Sequence, residues 1–275
     1  MALSVVDLYR DVLPQTNCGE CGAPTCLAFA SQVVSEKHDL GGCPHVSASR
    51  LEACKKELEA QYRQGRWTKR DMAADALAWA REKAAAMNIE DLPGRIGGCL
   101  VDRNGTPTLA LPYFGGSLLI DDNSINKSDG SELTRWEQVF IYNHMAQGGS
   151  REPTGKWKGL VEFPNTVSKV KSMIEQVETP LIQRFRGKSG ELQKAAAAIG
   201  GVECTDPRKS SGLNFYFRPL PKVPVTLMFW DEDPEEGFEP MAKLLFDETV
   251  TEHLDIESIL FLSERLRQLL CGDLI

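Results

Sequence analysis

Apolar residues recur at helical spacing through the first third of the chain and fall into short runs cut by glycine and proline beyond it. Over residues 2–12, Leu3, Val6, Leu8 and Tyr9 predict a short amphipathic helix. The run LAFASQVV after Cys26 predicts a second, with Leu27, Ala30 and Val34 on one side. Leu51, Cys54, Leu58 and Tyr62 share the face of a third, expected from Pro44, which suits a first helical position, to about Gln64. Cys54 is therefore expected as a core thiol. Gly65 breaks this pattern. Thr68 and Asp71 read as a capping box for a helix over about 69–88, with Met72, Ala76, Leu77, Ala80, Ala84 and Met87 on its apolar side.

From about residue 95 the pattern changes. GGCLV (97–101), LALPYF (109–114) and SLLI (117–120) predict short strands, with Asn104-Gly105 as a turn between the first two. Cys99 lies in the first of them and is expected to be buried. Polar residues 121–132 read as a loop, followed by a helix carrying Leu133, Trp136, Val139 and Phe140. A strand is expected at 157–163, helices over 166–200, paired strands at 213–220 and 225–230, and a C-terminal helix at about 256–270. The fold class that follows is α+β: a small, mostly helical domain (1–64), a helical linker (65–92) and a larger mixed α+β domain (93–275) with an antiparallel or mixed sheet.

Charge and composition narrow the function. The 275 residues carry 31 basic and 39 acidic side chains, a formal net charge of -8. That balance excludes a general nucleic-acid binder and leaves basic protein partners open. No apolar stretch is long enough to span a membrane, and no signal peptide is visible, so a cytoplasmic protein is expected. In a reducing compartment, clustered thiols point to metal rather than to disulfides.

Of the 8 cysteines, Cys18, Cys21, Cys26 and Cys43 form the pattern C-x2-C-x4-C-x16-C. Four soft thiolates suit zinc or an iron–sulfur cluster, and spacing alone does not fully separate the two. Zinc sites often use two CxxC knuckles, and here there is one. Three close thiolates and a remote fourth beside Pro44 look more like a cubane with a closing ligand. Gly19 and Gly22 let the backbone curl so that N–H groups can point at sulfur. Such bonds favour the reduced state. His45 reads as a neighbour of the fourth thiol rather than a ligand, and His38 as solvated.

The segments LPQTNCGECGAPTCLAFA (13–30) and GGCPHV (41–46) resemble the small iron–sulfur domain of the corrinoid iron–sulfur protein large subunit and of Rnf-type B subunits. The resemblance implies one [4Fe-4S] cluster with ligands at Cys18, Cys21, Cys26 and Cys43. Residues of roughly 95–270 resemble an uncharacterised domain family of anaerobic bacteria and archaea, on LPYFGGSLLID, GKWKGLVEF and PLPKVPVTLMFWDEDPEEGFEPMAKLLFD. That family transfers no active site. Together the two resemblances imply anaerobic redox metabolism, with a corrinoid-dependent system as one setting and a corrinoid or other large cofactor as one occupant of the second domain.

The second domain shows no dinucleotide fingerprint, P-loop, GxSxG elbow or HExxH motif. His144 lies near the end of a helix, where it suits acid–base work or axial ligation of cobalt, although the DxHxxG arrangement is absent. His253 reads as helix-start surface. The acidic run 231–239 and the aspartates Asp121, Asp122 and Asp129 read as solvated turns before cation sites. Tyr113-Phe114-Gly115-Gly116 permits close approach of a ligand and equally suits a tight turn. Trp136, Trp157 and Trp230 read as packing residues. The function expected is an electron-transfer or redox-partner protein with a redox protein as its partner. Two alternatives stand beside it: a sensor or assembly protein with a structural cluster, and an enzyme whose active site in the second domain draws electrons from the cluster.

Overall fold

The computed structural model describes residues 3–36, 38–65, 72–122, 124–204, 212–233, 235 and 237–272. The chain divides into two compact units, Met1–Asp75 and Ala76–Ile275. The proposed Thr68–Asp71 capping box lies outside the described residues.

The smaller unit is helical. Helix α1 (Val5–Asp7) is closed by a capping box in which Ser4 and Asp7 exchange hydrogen bonds, and it continues as a π-helical turn, Leu8–Val12. Helices α2 (Cys26–Glu36) and α3 (Ala48–Arg63) follow. α3 starts after Ser47, not at Pro44, because residues 44–46 turn back from Cys43 before the helix begins. On α2 the buried face is Cys26, Phe29, Ala30, Val33 and Val34, while Leu27 points to solvent. Ala30 and Val34 are on the buried face as expected; Cys26, Phe29 and Val33 complete it, and Leu27 lies just outside it. Leu8, Leu13, Ala23, Phe29, Leu40 and Leu58 form one core with Cys26, Cys43 and Cys54. The Tyr62 hydroxyl donates to the Val33 carbonyl and ties α3 to α2.

The larger unit is α+β. Helix α4 (Met72–Ala84), most of which falls in this unit, and α5 (Leu92–Ile96) precede the strands β1 (Cys99–Arg103), β2 (Thr106–Tyr113), β3 (Gly116–Ile120) and β4 (Ile125–Lys127). These make an antiparallel meander in the order β1-β2-β3-β4. Asn104 and Gly105 both have positive φ (57° and 83°), as the predicted two-residue turn requires. β4 occupies part of the span expected as loop, because Leu118–Ile120 of β3 supply its hydrogen-bond partners. Every residue of β1 is exposed, so Cys99 is not buried: β1 is the sheet edge, and alternation cannot hide a side chain on an uncovered strand.

Helix α6 (Arg135–Gln147) is opened by a Thr134–Glu137 capping box. β5 is only Trp157–Gly159, and the expected strand turns there into a 3-10 turn, Leu160–Glu162. Helices α7 (Val167–Met173), α8 (Thr179–Phe185) and α9 (Ser189–Ala198) precede β6 (Val202–Glu203), β7 (Leu213–Leu220), β8 (Val223–Trp230) and β9 (Met241–Asp247). The second sheet is antiparallel, ordered β5-β9-β8-β7-β6. Periodicity alone assigns no element to β9, whose alternation is broken by Leu245 and Phe246. Short α10 (Val250–His253) and long α11 (Ile256–Cys271) close the chain. α11 buries Ile259, Leu260, Leu262, Leu266 and Leu270 among α6, α7, α8 and α9. Ala80 and Ala84 of α4 belong to this larger core. Gly98 enters β1 at φ +85°, with the Ala110 carbonyl 2.6 Å from where a Cβ would stand. Among the described residues no helix is long and apolar enough to cross a membrane.

His253 is fully buried, not surface, because α10 is packed against α6 rather than left at the rim. Its Nε2 lies 3.0 Å from the Arg151 carbonyl. His144 is also fully buried, with Nδ1 3.0 Å from the His253 carbonyl. Burial pushes His144 down to about 4, against the pull of its bond to His253 and with help from the charges of His253, Arg95 and Lys222. It is a neutral packing residue, out of solvent reach.

Candidate metal centre

The segment that carries the four cysteines is built from reversed turns. Gln15, Asn17, Gly19 and Gly22 all have positive φ. At Gly22 (φ 82°) a Cβ would meet nothing within 4 Å, so glycine is needed for the backbone sign alone and not for space. The Gly22 N–H donates to the Gly19 carbonyl (2.9 Å), which folds Cys21 back toward Cys18. α2 then begins at Cys26. The Asn17 side chain accepts from the Cys26 N–H (2.8 Å), and the Thr25 hydroxyl accepts from the Ala28 N–H (3.1 Å). Two of the free amides at the helix start are thereby satisfied.

Cys43 arrives from another direction. The Asp39 carboxylate accepts from the Gly41 N–H (2.9 Å) and pairs with Lys55 on α3 (2.8 Å). This pins the 3-10 turn Leu40–Gly42, whose end is Cys43. Cys26 and Cys43 are buried, Cys21 is half-buried and Cys18 is exposed.

The electrostatics link the four. Burial pushes the Cys43 thiol up; a hydrogen bond from the His45 backbone opposes the rise, and the charges of Cys21, Cys26 and Cys18 add to it. Cys18 is pulled the other way by hydrogen bonds from the Glu20 backbone, the Thr16 hydroxyl and the His45 ring. Cys54 also rises through burial, but no charge from the other thiols reaches it. It sits in the core beside Leu58, as its helical spacing predicts. His45 pairs with Glu20 (Nε2–Oε2 3.2 Å) and both are exposed. Cys18 Sγ, Glu20 and His45 place their donor atoms within 4.8 Å of one another, so His45 stands at the exposed edge of the thiol cluster. His38 is exposed and meets the Phe29 ring edge-on.

A group of soft thiols, half in an apolar core and half at the surface, fits an iron–sulfur cofactor by donor chemistry. Asn17, Thr16 and Glu20 were not legible as site residues from spacing. The only sequence signal for Asn17 is a residue tolerant of positive φ directly before a cysteine.

The other singled-out residues disperse. Asp121 is spent on Ser124, and Asp129 on Ser131. Asp231 accepts from the Gly187 N–H and the Ser189 hydroxyl (both 2.8 Å), so the start of the acidic run holds a turn; residues 234 and 236 of that run lie outside the described residues. Trp136 stacks on Phe261, and Trp157 meets Tyr216 edge-on.

Comparison with known proteins agrees with this division. The family model described as "Putative Fe-S cluster" matches residues 13–45, which include all four clustered cysteines. The corrinoid/iron-sulfur protein large subunit of Moorella thermoacetica is 51% identical over 53 residues, 19% of this chain and 12% of that protein. The acetyl-CoA decarbonylase/synthase complex subunit gamma of Methanocaldococcus jannaschii is 36% identical over 56 residues, 20% and 11% respectively. Subunit gamma 1 of that complex from Methanosarcina thermophila is 59% identical over 41 residues, 15% and 8%. The chain thus spans about a tenth of the length of these relatives. No solved structure matches the chain. The N-terminal segment carries an iron–sulfur cofactor domain. Residues 88–269, about two thirds of the chain, match the family described as Domain of unknown function (DUF3786), and the chain belongs to that family.

Proposed function

We propose that this protein is a one-electron carrier or redox partner holding a single [4Fe-4S] cluster on Cys18, Cys21, Cys26 and Cys43. The observation that supports the reading is the placement of the thiols: Cys26 and Cys43, held by separate turns, are buried in one apolar core against which Cys21 packs, with Cys18 exposed, all within the segment that the Fe-S family model matches. When bound, such a cluster supplies one-electron chemistry between two charge states.

The residues of the smaller unit supply the rest. Leu13, Ala23, Phe29 and Leu40 pack with Cys26 and Cys43 and keep water from the inner thiolates. Backbone hydrogen bonds from Glu20 and His45 stabilise negative charge on Cys18 and Cys43. Four cysteine ligands leave no open coordination position for a substrate. Exposed Cys18 marks the side from which a partner can approach closely. The relatives named above suggest the setting: anaerobic metabolism in which the partner is a corrinoid-dependent protein. Methyl carriage by this chain itself is not part of the proposal, since it shares only the short cysteine-bearing segment with them.

Anaerobic purification with iron, sulfide and zinc analysis, and EPR before and after dithionite, tests the reading. The expected result is about four irons per chain, a visible band that bleaches and an EPR signal of the reduced cluster. Stoichiometric zinc without a chromophore sinks it. The corrinoid setting is tested by mixing the reduced, desalted protein with a cobalt(II) corrinoid protein and following cobalt absorption; no reduction above the apoprotein control rejects that setting alone.

A further inference from the structure

The larger unit holds a second constellation, unrelated to the thiols. A cavity of ≈ 330 Å³ lies between the β2–β3 turn, the end of β4 and the C-terminal half of α11. That volume is at the lower end of small-ligand sites. Its wall includes Phe114, Ser117, Lys127, Ser128 and Arg265.

The side chains of Lys127 and Arg265 are only 13% and 14% exposed. Behind them is a single buried carboxylate, Glu137, 1% exposed. Its Oε1 accepts from the Tyr113 hydroxyl (2.8 Å) and lies 2.9 Å from Arg265 Nε and 3.5 Å from Lys127 Nζ. Its Oε2 accepts from the Thr134 N–H (2.9 Å). One carboxylate therefore serves two cations that are mostly out of water. The Arg265 Nε proton is not aligned on Glu137 and finds no acceptor among the described residues. Lys127 also donates to the Glu132 carbonyl (3.0 Å), and Arg265 Nη1 to Gln268 (3.3 Å); neither acceptor brings charge. The remaining acid, Asp129, is exposed at the rim, and its Oδ1 accepts from the Ser131 N–H and hydroxyl. Water screens it far more than it screens the two cations. Asp129 also lines the cavity and is held below its usual range by hydrogen bonds from Ser131, with the charge of Lys127 adding to the effect, so two cations face two carboxylates and the formal charges balance. What a ligand can use is the buried Arg265 Nε donor, which has no aligned acceptor among the described residues.

Two further features point the same way. The Ser117 hydroxyl donates to the Ser128 hydroxyl (3.0 Å) on the wall, which leaves the Ser128 proton as an additional donor. Phe114 occupies the first position of the two-residue turn between paired Tyr113 and Gly116, at φ 49°. Glycine is the ordinary residue for that sign of φ, and a bulky side chain held there is strained. Strain of this kind clusters at ligand-holding turns.

We propose that this cavity binds a small oxyanion, the carboxylate or phosphate group of a metabolite-sized ligand, through Lys127 and Arg265. The Ser128 hydroxyl, oriented by the Ser117 hydroxyl that donates to it, adds a hydrogen bond, and Ile199 and Leu269, also on the wall, receive the apolar remainder. The site is independent of the iron–sulfur reading and stands or falls separately.

Isothermal titration of the full chain with acetate, oxalate and inorganic phosphate, each at constant ionic strength in sodium chloride, tests it. Saturable binding of at least one is expected; which one saturates separates a carboxylate from a phosphate ligand. Lys127→Met weakens it about tenfold or more, and Ser128→Ala about fivefold, with melting temperature unchanged in the latter. Absence of saturable heat with all three anions overturns the proposal. So does binding that sodium chloride reproduces, or binding that both substitutions leave intact.

Discussion

Cys43 and Cys54 lie eleven positions apart in one small core, yet Cys43 ends the turn Leu40–Gly42 whereas Cys54 lies inside helix α3 on its apolar face. Cys43→Ala is therefore expected to abolish iron loading, and Cys54→Ala to leave it near the wild-type level, as measured by iron per chain after anaerobic purification. The spacing of the cysteines already separated these two thiols, since Cys54 falls on the apolar period of a helix with Leu51 and Leu58. His144 and His253 were not legible in this way. His144, near a helix end, reads as an acid–base group or cobalt ligand and His253 as surface, and only tertiary packing buries both. That burial has a pH signature. The imidazole of His144 titrates near 6.5 unfolded and near 4 folded. Above pH 6.5 it is neutral in both states and costs nothing. As pH falls from 6.5 to 4 the unfolded chain takes up this proton first, and the larger unit loses up to about 3 kcal/mol before the loss levels off. Urea midpoints at pH 7 and pH 4.5 measure this, with His144→Gln expected to flatten the fall. An equal fall in that variant rejects the assignment.

The elements with strong local signals appear where periodicity puts them: α11, the β7–β8 pair and the Asn104-Gly105 hairpin. Local chemistry also sets their ends. The Asp255 carboxylate accepts from the Ser258 N–H (2.7 Å) and caps α11, the helix around which the larger unit is packed. Asp255→Ala is expected to lower stability by about 1 kcal/mol in urea unfolding. Gly98→Ala is expected to cost more, about 2 kcal/mol or above, because it combines an unfavourable φ with a backbone oxygen 2.6 Å from the new methyl. A melting temperature unchanged in Gly98→Ala contradicts the close approach. The missed elements share a cause. β4 has three residues and exists through its pairing with β3, and β9 is defined by lying between β5 and β8. A strand is stabilised by cross-strand neighbours, and those are invisible in a window of one segment.

At the scale of the whole molecule, the two cores share no residue. The smaller one is built around the cysteines, with Phe29 its one buried aromatic among the described residues, so its stability is expected to depend on the bound cofactor. Removing iron with a chelator under reducing conditions is expected to lower the melting of the smaller unit and leave that of the larger one in place. A single transition shifted as a whole speaks against this. The sequence by itself determined the division into a thiol-bearing helical segment and an α+β remainder, and which four cysteines to watch, because ligand spacing and side-chain periodicity are properties of neighbouring residues. Only the tertiary structure decided which thiols are inside and which face water. It alone paired Glu137 with Arg265 and Lys127, buried the two histidines and left β1 uncovered. These depend on what distant segments bring to one place, and burial, pairing and charge balance are properties of that place rather than of the local chain.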